Sequence, residues 1–451
     1  MTTTSQTSQV KPPAHPERST PSTARAWTVA IVLFVFMLLN WADKAILGLA
    51  AEPLMKELGL SASQFGLASS AVFLLFGLSA LFTSTLSDRV GTRRLLLVMA
   101  VLWSVAMVPV LLVPTLGALI AGRTLLGAAE GPASPLASIA AMKWFPAEKR
   151  TLPVSIVVTG SLIGLAVAAP TLSWVISNWG WRSAFILMAA LGLIWALVWL
   201  VVGKEGPYLS ADTAEDTEAA AKSESVSTVK LPWWKLLCTR TWLCFTLGLF
   251  AAYWTSALLL SWMPHFLTSQ LGFSAVTAGN LVGAAALLCA IAMLLQGLIG
   301  DRVMSRGGSS WIALGWVSGG AVLTSGVAML VFAVLPGNGV VKIVAMLVAF
   351  SLCLAVGSAA PNAIAHIIPS QQHGLGLGSY IAFGTSAGVI APAFTGRVLD
   401  LAASESDGYF ISFVVSGVLM VAAGGMLIAL GNPDRDRKRL EAASTELRPT
   451  A

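Results

Sequence analysis

Twelve segments of this chain are apolar for twenty residues or more, which restricts the possible folds severely. An α-helix needs roughly 20 apolar residues to cross the hydrocarbon of a bilayer. The segments are 26–50, 62–86, 93–113, 115–142, 151–176, 182–203, 238–266, 275–299, 310–335, 339–367, 374–399 and 408–431. Only 11% of all residues are charged, against about 25% in soluble domains. The 41 Gly and 21 Pro sit mostly inside the apolar segments, where membrane helices tolerate them. The expectation is an all-α membrane protein with twelve transmembrane helices.

Basic residues orient the spans. With the N-terminus in the cytoplasm, 21 of the 27 Lys and Arg fall on cytoplasmic segments. Only Lys56, Arg182, Lys342 and Arg397 fall outside, while Lys44 and Arg123 lie within spans. Basic residues gather on cytoplasmic loops, so both termini are expected there. Residues 1–25 are too polar for a secretory signal, and the first apolar run reads as a retained span. The absence of an Asn-x-Ser/Thr sequon and the short loops favour a bacterial inner membrane. The net charge of +6 reports loop orientation, and no patch suits nucleic acid. Cys238, Cys244, Cys289 and Cys353 have no metal-ligand spacing and read as small buried hydrophobes.

Residues 204–237 divide the spans into two sets of six. Their small, polar core has the composition of a solvated linker. The domains expected are an N-terminal tail at 1–25, bundles at 26–203 and 238–431, and a C-terminal tail at 432–451. The halves also echo each other. Asp88-Arg89 follows the second span and Asp301-Arg302 the eighth, 213 residues apart at equivalent places. Parallel six-helix repeats around a midplane cavity are a transporter plan, in which one half rocks against the other.

Four charges lie inside the first half: Asp43, Lys44, Arg123 and Glu130. Each costs at least about 2.5–3.5 kcal/mol to insert, so an intramembrane ionisable group points to function. Arg123 and Glu130 are two helical turns apart and share a face; Asp43 and Lys44 point about 100° apart. Burial drives a carboxylate toward its neutral form and a nearby cation opposes that, so such a group can trade protons as its surroundings change. A static Arg123–Glu130 pair that only fixes helix packing is the alternative, at odds with the cost of burying ion pairs.

These residues resemble the major facilitator superfamily, across all twelve spans. Asp88-Arg89-Val90-Gly91 with Arg93-Arg94 is similar to its loop 2–3 signature, with Ser84 and Thr92 departing from it. Asn40-Trp41-Ala42-Asp43-Lys44, Arg123 to Pro132 with Pro135, Trp144-Phe145-Pro146 and Gly180-Trp181-Arg182 resemble the anion:cation symporter family. That family includes bacterial sugar-acid and aromatic-acid importers and animal organic-anion carriers. The resemblance implies proton-coupling roles for Asp43 and Glu130, and a substrate-carboxylate anchor at Lys44, where the family has Arg. Arg123 would hold or release Glu130. Lys for Arg exchanges a two-bond fork for a point charge; the alternative is that Lys44 only neutralises Asp43. Asp88, Arg89, Arg93, Arg94, Asp301 and Arg302 would form a cytoplasmic gate, or serve simply as positive-inside anchors and helix caps.

Tyr253, Ser256, Asn362 and Thr385 are polar residues of spans 7, 10 and 11 that either line the cavity or bond between helices. His265 and His366, near span ends, read as satisfied interfacial groups in preference to proton relays. Trp233, Trp234 and Trp311 suit the interfacial aromatic belt. Sugar-acid members carry a Tyr and a Gln where this chain has Phe76 and Ala80, and an Asn where it has Thr385. Fewer partners for hydroxyls, and a flat ring at Phe76, favour an aromatic or otherwise apolar carboxylate over a sugar acid.

The function expected is rocker-switch import of a small organic anion with H+, by a monomer in the lipid bilayer, with the proton as coupling ion and no other cofactor. Sugar-acid symport and proton-antiport efflux of lipophilic compounds are the rival transport readings. A ligand sensor lacks a sizeable soluble region here. An enzyme is disfavoured, since no metal-ligand cluster, nucleophile–base arrangement or phosphate-cradling loop is present.

Overall fold

The computed structural model describes residues 23–81, 87, 89–146, 149–208, 232–369 and 372–446. Among the described residues, eleven helices are long and apolar enough to cross a membrane. The first six-span set contributes Thr23–Leu49, Ala62–Ala80, Thr92–Leu112, Thr151–Trp179 and Trp181–Val202 (spans 1, 2, 3, 5 and 6). Arg240–Ser261, Ala275–Ser305, Trp311–Val334, Val340–Ile367, His373–Leu401 and Glu405–Leu430 are spans 7 to 12.

The missing number is span 4, which breaks into Leu116–Glu130 and Ala133–Met142. Pro132 and Pro135 each remove a backbone donor from the helical ladder there, so neither piece alone has the length of a crossing. Gly131 makes the break a point of close approach: a Cβ there would overlap the Phe76 carbonyl and the Ser79 hydroxyl of span 2.

Helix starts follow the capping rules. The side chains of Thr115, Thr239, Ser274 and Ser404 accept from Ala118, Trp242, Thr277 and Asp407 backbone N–H groups. Leu193, Ile194, Leu197 and Val201 of span 6 are outward-facing and exposed. On a soluble protein such a stripe invites aggregation; on a membrane helix it meets lipid. Inside each half, span 1 packs along span 5, span 2 along span 4, and span 9 along span 12.

The halves are joined chiefly by span 2 against span 11 and span 5 against span 8, with span 1 meeting span 7 between them. The first two contacts run through the part of the molecule remote from Arg93, Lys143 and Arg302, here termed the far end; the opposite, Lys/Arg-rich end is the basic end. Ala62 N and Ser63 N donate to the two carboxylate oxygens of Asp400 at 3.1 and 2.9 Å. Ala393 N donates to Ser70 Oγ at 3.1 Å. Gly66 meets the Pro392 carbonyl so closely that no side chain fits between them. The far end is therefore shut by small residues that let backbones touch and by a carboxylate on a helix N-terminus.

Candidate functional site

The four intramembrane charges meet beside the Gly131–Pro132 break. Asp43, Lys44, Arg123 and Glu130 are only 1, 5, 4 and 1% exposed. Span 1 brings Asn40 and Lys44 onto one face by their four-residue spacing. Lys44 Nζ donates to Asn40 Oδ1 at 2.9 Å and to the Asn40 carbonyl at 3.1 Å. The same ammonium stands 2.9 Å from Glu130 Oε2 as an ion pair, and 5.3 Å from the ring centres of both Trp41 and Phe76. Its positive charge is thus held by one carboxylate, one amide and two aromatic faces.

Arg123 makes no direct ion pair with Glu130. Its Nη1 donates to the Asp43 backbone carbonyl at 3.2 Å, and Nε has no partner. Seven residues along a helix are about 10.5 Å, and side chains of one helix lean the same way, so sharing a face leaves Arg123 and Glu130 a full two turns apart. A residue on the neighbouring span closes that distance. Lys44, not Arg123, is the cation paired with Glu130 in this conformation.

The cluster is under-satisfied. Asn40 Nδ2, Asp43 Oδ1 and Glu130 Oε1 have no hydrogen-bond partner. Above Lys44 toward the other half lies a pocket of only about 10 Å³, lined by Leu47, Ser69, Phe73, Arg123, Leu260 and Ser261 among others. That is roughly the space of one water. The cluster therefore sits at the seam between the halves, closed over by span 7.

Of the other residues singled out, Phe76 belongs to this site. Thr385 does not present its hydroxyl to it: Oγ1 donates to the Ile381 carbonyl at 2.8 Å, and the side chain packs on Gly77 of span 2. Tyr253 is half-buried in span 7 and Asn362 is exposed on span 10. His265 is satisfied by Tyr409 Oη at 2.7 Å, and His366 by Asp434 Oδ1 at 3.1 Å.

At the basic end Asp88 lies outside the described residues; Arg89, Arg94, Asp301 and Arg302 are exposed. Arg93 is engaged by Glu205, a residue of the segment expected as a solvated linker. Glu205 accepts from Arg93 N at 2.8 Å, from Thr92 Oγ1 at 3.0 Å and from Lys143 Nζ at 2.7 Å. Partial burial pushes the Glu205 carboxyl up, but the Arg93 amide, Lys143 and Thr92 together hold it below its ordinary value. The second half repeats this clasp. Asp434, just past span 12, accepts from Ser310 N at the head of span 9 and pairs with His366 at the end of span 10. Burial pushes its carboxyl up as well, and Ser310 and His366 bring it below the usual range. Residues 433–446, expected as a tail, begin with this clasp and form a helix, Pro433–Glu446.

Residues 32–392 match the family model for the Major Facilitator Superfamily. The chain belongs to that superfamily. It is a multi-pass membrane transporter and not an enzyme. Its curated relatives include the hexuronate transporter of Bacillus subtilis, 27% identical over 409 residues, covering 89% of this chain and 94% of that protein. The D-galactonate transporter of Escherichia coli O6:H1 is 28% identical over 296 residues, 63% of this transporter and 69% of that one. Among solved structures, a bacterial homologue of the human lysosomal transporter Spinster, inward-facing and unoccupied, superposes with a TM-score of 0.74 over 93% of this chain and 98% of that one, at 17% identity. The D-xylose-proton symporter gives 0.71 over 91% and 99%, also at 17% identity. The fold, two six-helix bundles, is that of these transporters.

Proposed function

We propose that this transporter imports a small organic carboxylate together with protons, and that Lys44 is the switch between the two. The observation that carries this is the 2.9 Å pair between Lys44 Nζ and Glu130 Oε2. Two hydrogens of the ammonium are held by Asn40, so the third serves either Glu130 or a substrate carboxylate. When Glu130 takes a proton it loses its hold on Lys44, and the ammonium is released to the cargo. Asp43, with an unbonded oxygen in the same cluster, is the second acid. Loss of the substrate lets Lys44 return to Glu130, whose neutral carboxyl releases its proton as the ion pair reforms.

The Lys/Arg asymmetry supports placing the basic end and both termini in the cytoplasm of a bacterial inner membrane. The closed far end then corresponds to an inward-facing arrangement, with the cargo site shut from outside.

The Phe76 face beside Lys44 suits an apolar or aromatic acid. The names of the relatives, hexuronate and D-galactonate transporters, favour a second reading, a sugar acid. Uptake of labelled benzoate, D-galactonate and a hexuronate into proteoliposomes distinguishes them. An inward proton gradient should stimulate uptake of one class, and Glu130→Gln should remove that stimulation while leaving exchange. Uptake indifferent to the gradient contradicts the proposal.

A further inference from the structure

A second buried lysine stands in the other half of the molecule, and it lacks the partner that Lys44 has. Lys342 is 9% exposed, in the first turn of span 10, and is one of the four basic residues expected outside. Its Nζ donates to the Leu335 carbonyl at 2.8 Å and stands 5.6 and 5.4 Å from the ring centres of Phe266 and Phe332. Lys44 is held in the same manner, by the Asn40 carbonyl and by two rings at 5.3 Å. Lys44 adds the Glu130 carboxylate to that set. Lys342 makes no ion pair among the described residues.

Beside this ammonium is a pocket of about 330 Å³. Phe266, Phe332 and Leu335, the three residues that surround Nζ, all line it, as does Lys342 itself. Phe410 and Phe413 of span 12 and Gln270 form other walls. Asp407 also lines it; that residue is exposed, and its carboxylate accepts from Ser404 Oγ at 2.7 Å. A carbonyl and two ring faces solvate an ammonium but leave its charge unmatched, and a buried unmatched charge is costly. The helix adds to the imbalance. Span 10 starts at Gly339 with no side-chain cap, and a helix N-terminus is itself positive.

We infer that this pocket binds a small aromatic monocarboxylate, with its carboxylate on Lys342 Nζ and its ring among the phenyl walls. The bound acid supplies to Lys342 what Glu130 supplies to Lys44. One ammonium matches one carboxylate, the rings favour a flat aromatic body, and the volume is in the range of small-molecule pockets. The pocket shares no lining residue with the space beside Lys44, so the inference stands apart from the transport reading.

Photolabelling of the full chain in phosphatidylcholine proteoliposomes tests this, using para-(trifluoromethyldiazirinyl)benzoate and its primary amide. The acid should label 266–271, 332–342 and 406–413 saturably and be displaced by phenylacetate, while the amide stays at background. Lys342→Met should cut labelling about tenfold, the loss of a charge-assisted bond, and Lys342→Arg should keep most of it. Ala333→Trp, which fills the pocket and keeps Lys342, should also abolish labelling, and serves if Lys342→Met fails to fold. Equal labelling by acid and amide, or unchanged labelling in a folded Lys342→Met or Ala333→Trp, overturns the inference. So does labelling lost on adding phosphatidylglycerol, which would assign the ammonium to a lipid phosphate.

Discussion

Lys44 of span 1 and Glu130 of span 4 form a buried ion pair at 2.9 Å, with the cation facing the seam between the two halves. The partners come from different helices, so the pair reports on helix packing as well as on charge. Breaking a buried pair by removing one member typically costs about 3–5 kcal/mol, because the other is left charged and unmatched.

That asymmetry gives the first prediction. Lys44→Met should lower the thermal midpoint of the purified protein by several degrees, and adding Glu130→Gln should restore much of the loss. A double variant no more stable than Lys44→Met would mean that the two groups are not coupled.

The closed far end gives the second. Asp400 caps the start of span 2 from span 11, across the halves. Asp400→Ala should raise the rate at which a membrane-impermeant maleimide reaches a cysteine at Leu47 from the far side, by about fivefold for the loss of charge-assisted bonds at a largely exposed site. An unchanged labelling rate would show that the apolar contact alone keeps this end shut.

The clasp at Glu205 gives a pH dependence. Its folded carboxyl lies below its ordinary value, so the unfolded chain binds the proton more tightly and stability falls as pH drops. The contribution should be complete above about pH 5.5 and fade through and below the ordinary Glu range near pH 4.3. Measured from pH 4 to 8, the melting difference between wild type and Glu205→Gln should be constant at the upper end and shrink at the lower. A difference that grows on acidification would contradict the sign.

Much of this was legible in the sequence, for reasons that particular residues make plain. Span lengths follow from the thickness of hydrocarbon, and ends such as Thr151, Ala275 and Val340 lie within a residue of where hydropathy changes. The identity of the charged cluster was legible too, because Asp43, Lys44, Arg123 and Glu130 are conspicuous against apolar surroundings. Their pairing was not. Spacing along one helix suggested Arg123 with Glu130, whereas the contact is made across helices, where one-dimensional spacing carries no information. Glu205 was hidden by composition: it opens a polar segment, yet its carboxylate returns to the head of span 3. The repeat of that clasp at Asp434 could have been sought from the internal duplication, since Lys143 and His366 end equivalent spans. Asn40 stands out in the sequence only as part of a motif, and its position one turn before Lys44 is the sign that it meets that side chain.

The central claim, that Glu130 trades a proton as Lys44 trades partners, is tested most directly by proton movement itself. In lightly buffered proteoliposomes carrying a pH-sensitive dye inside, adding the acid identified by the uptake panel should acidify the lumen in the wild type. Glu130→Gln should carry out counterflow of the same acid with no acidification. Equal acidification by both proteins, at equal substrate flux, would contradict the account.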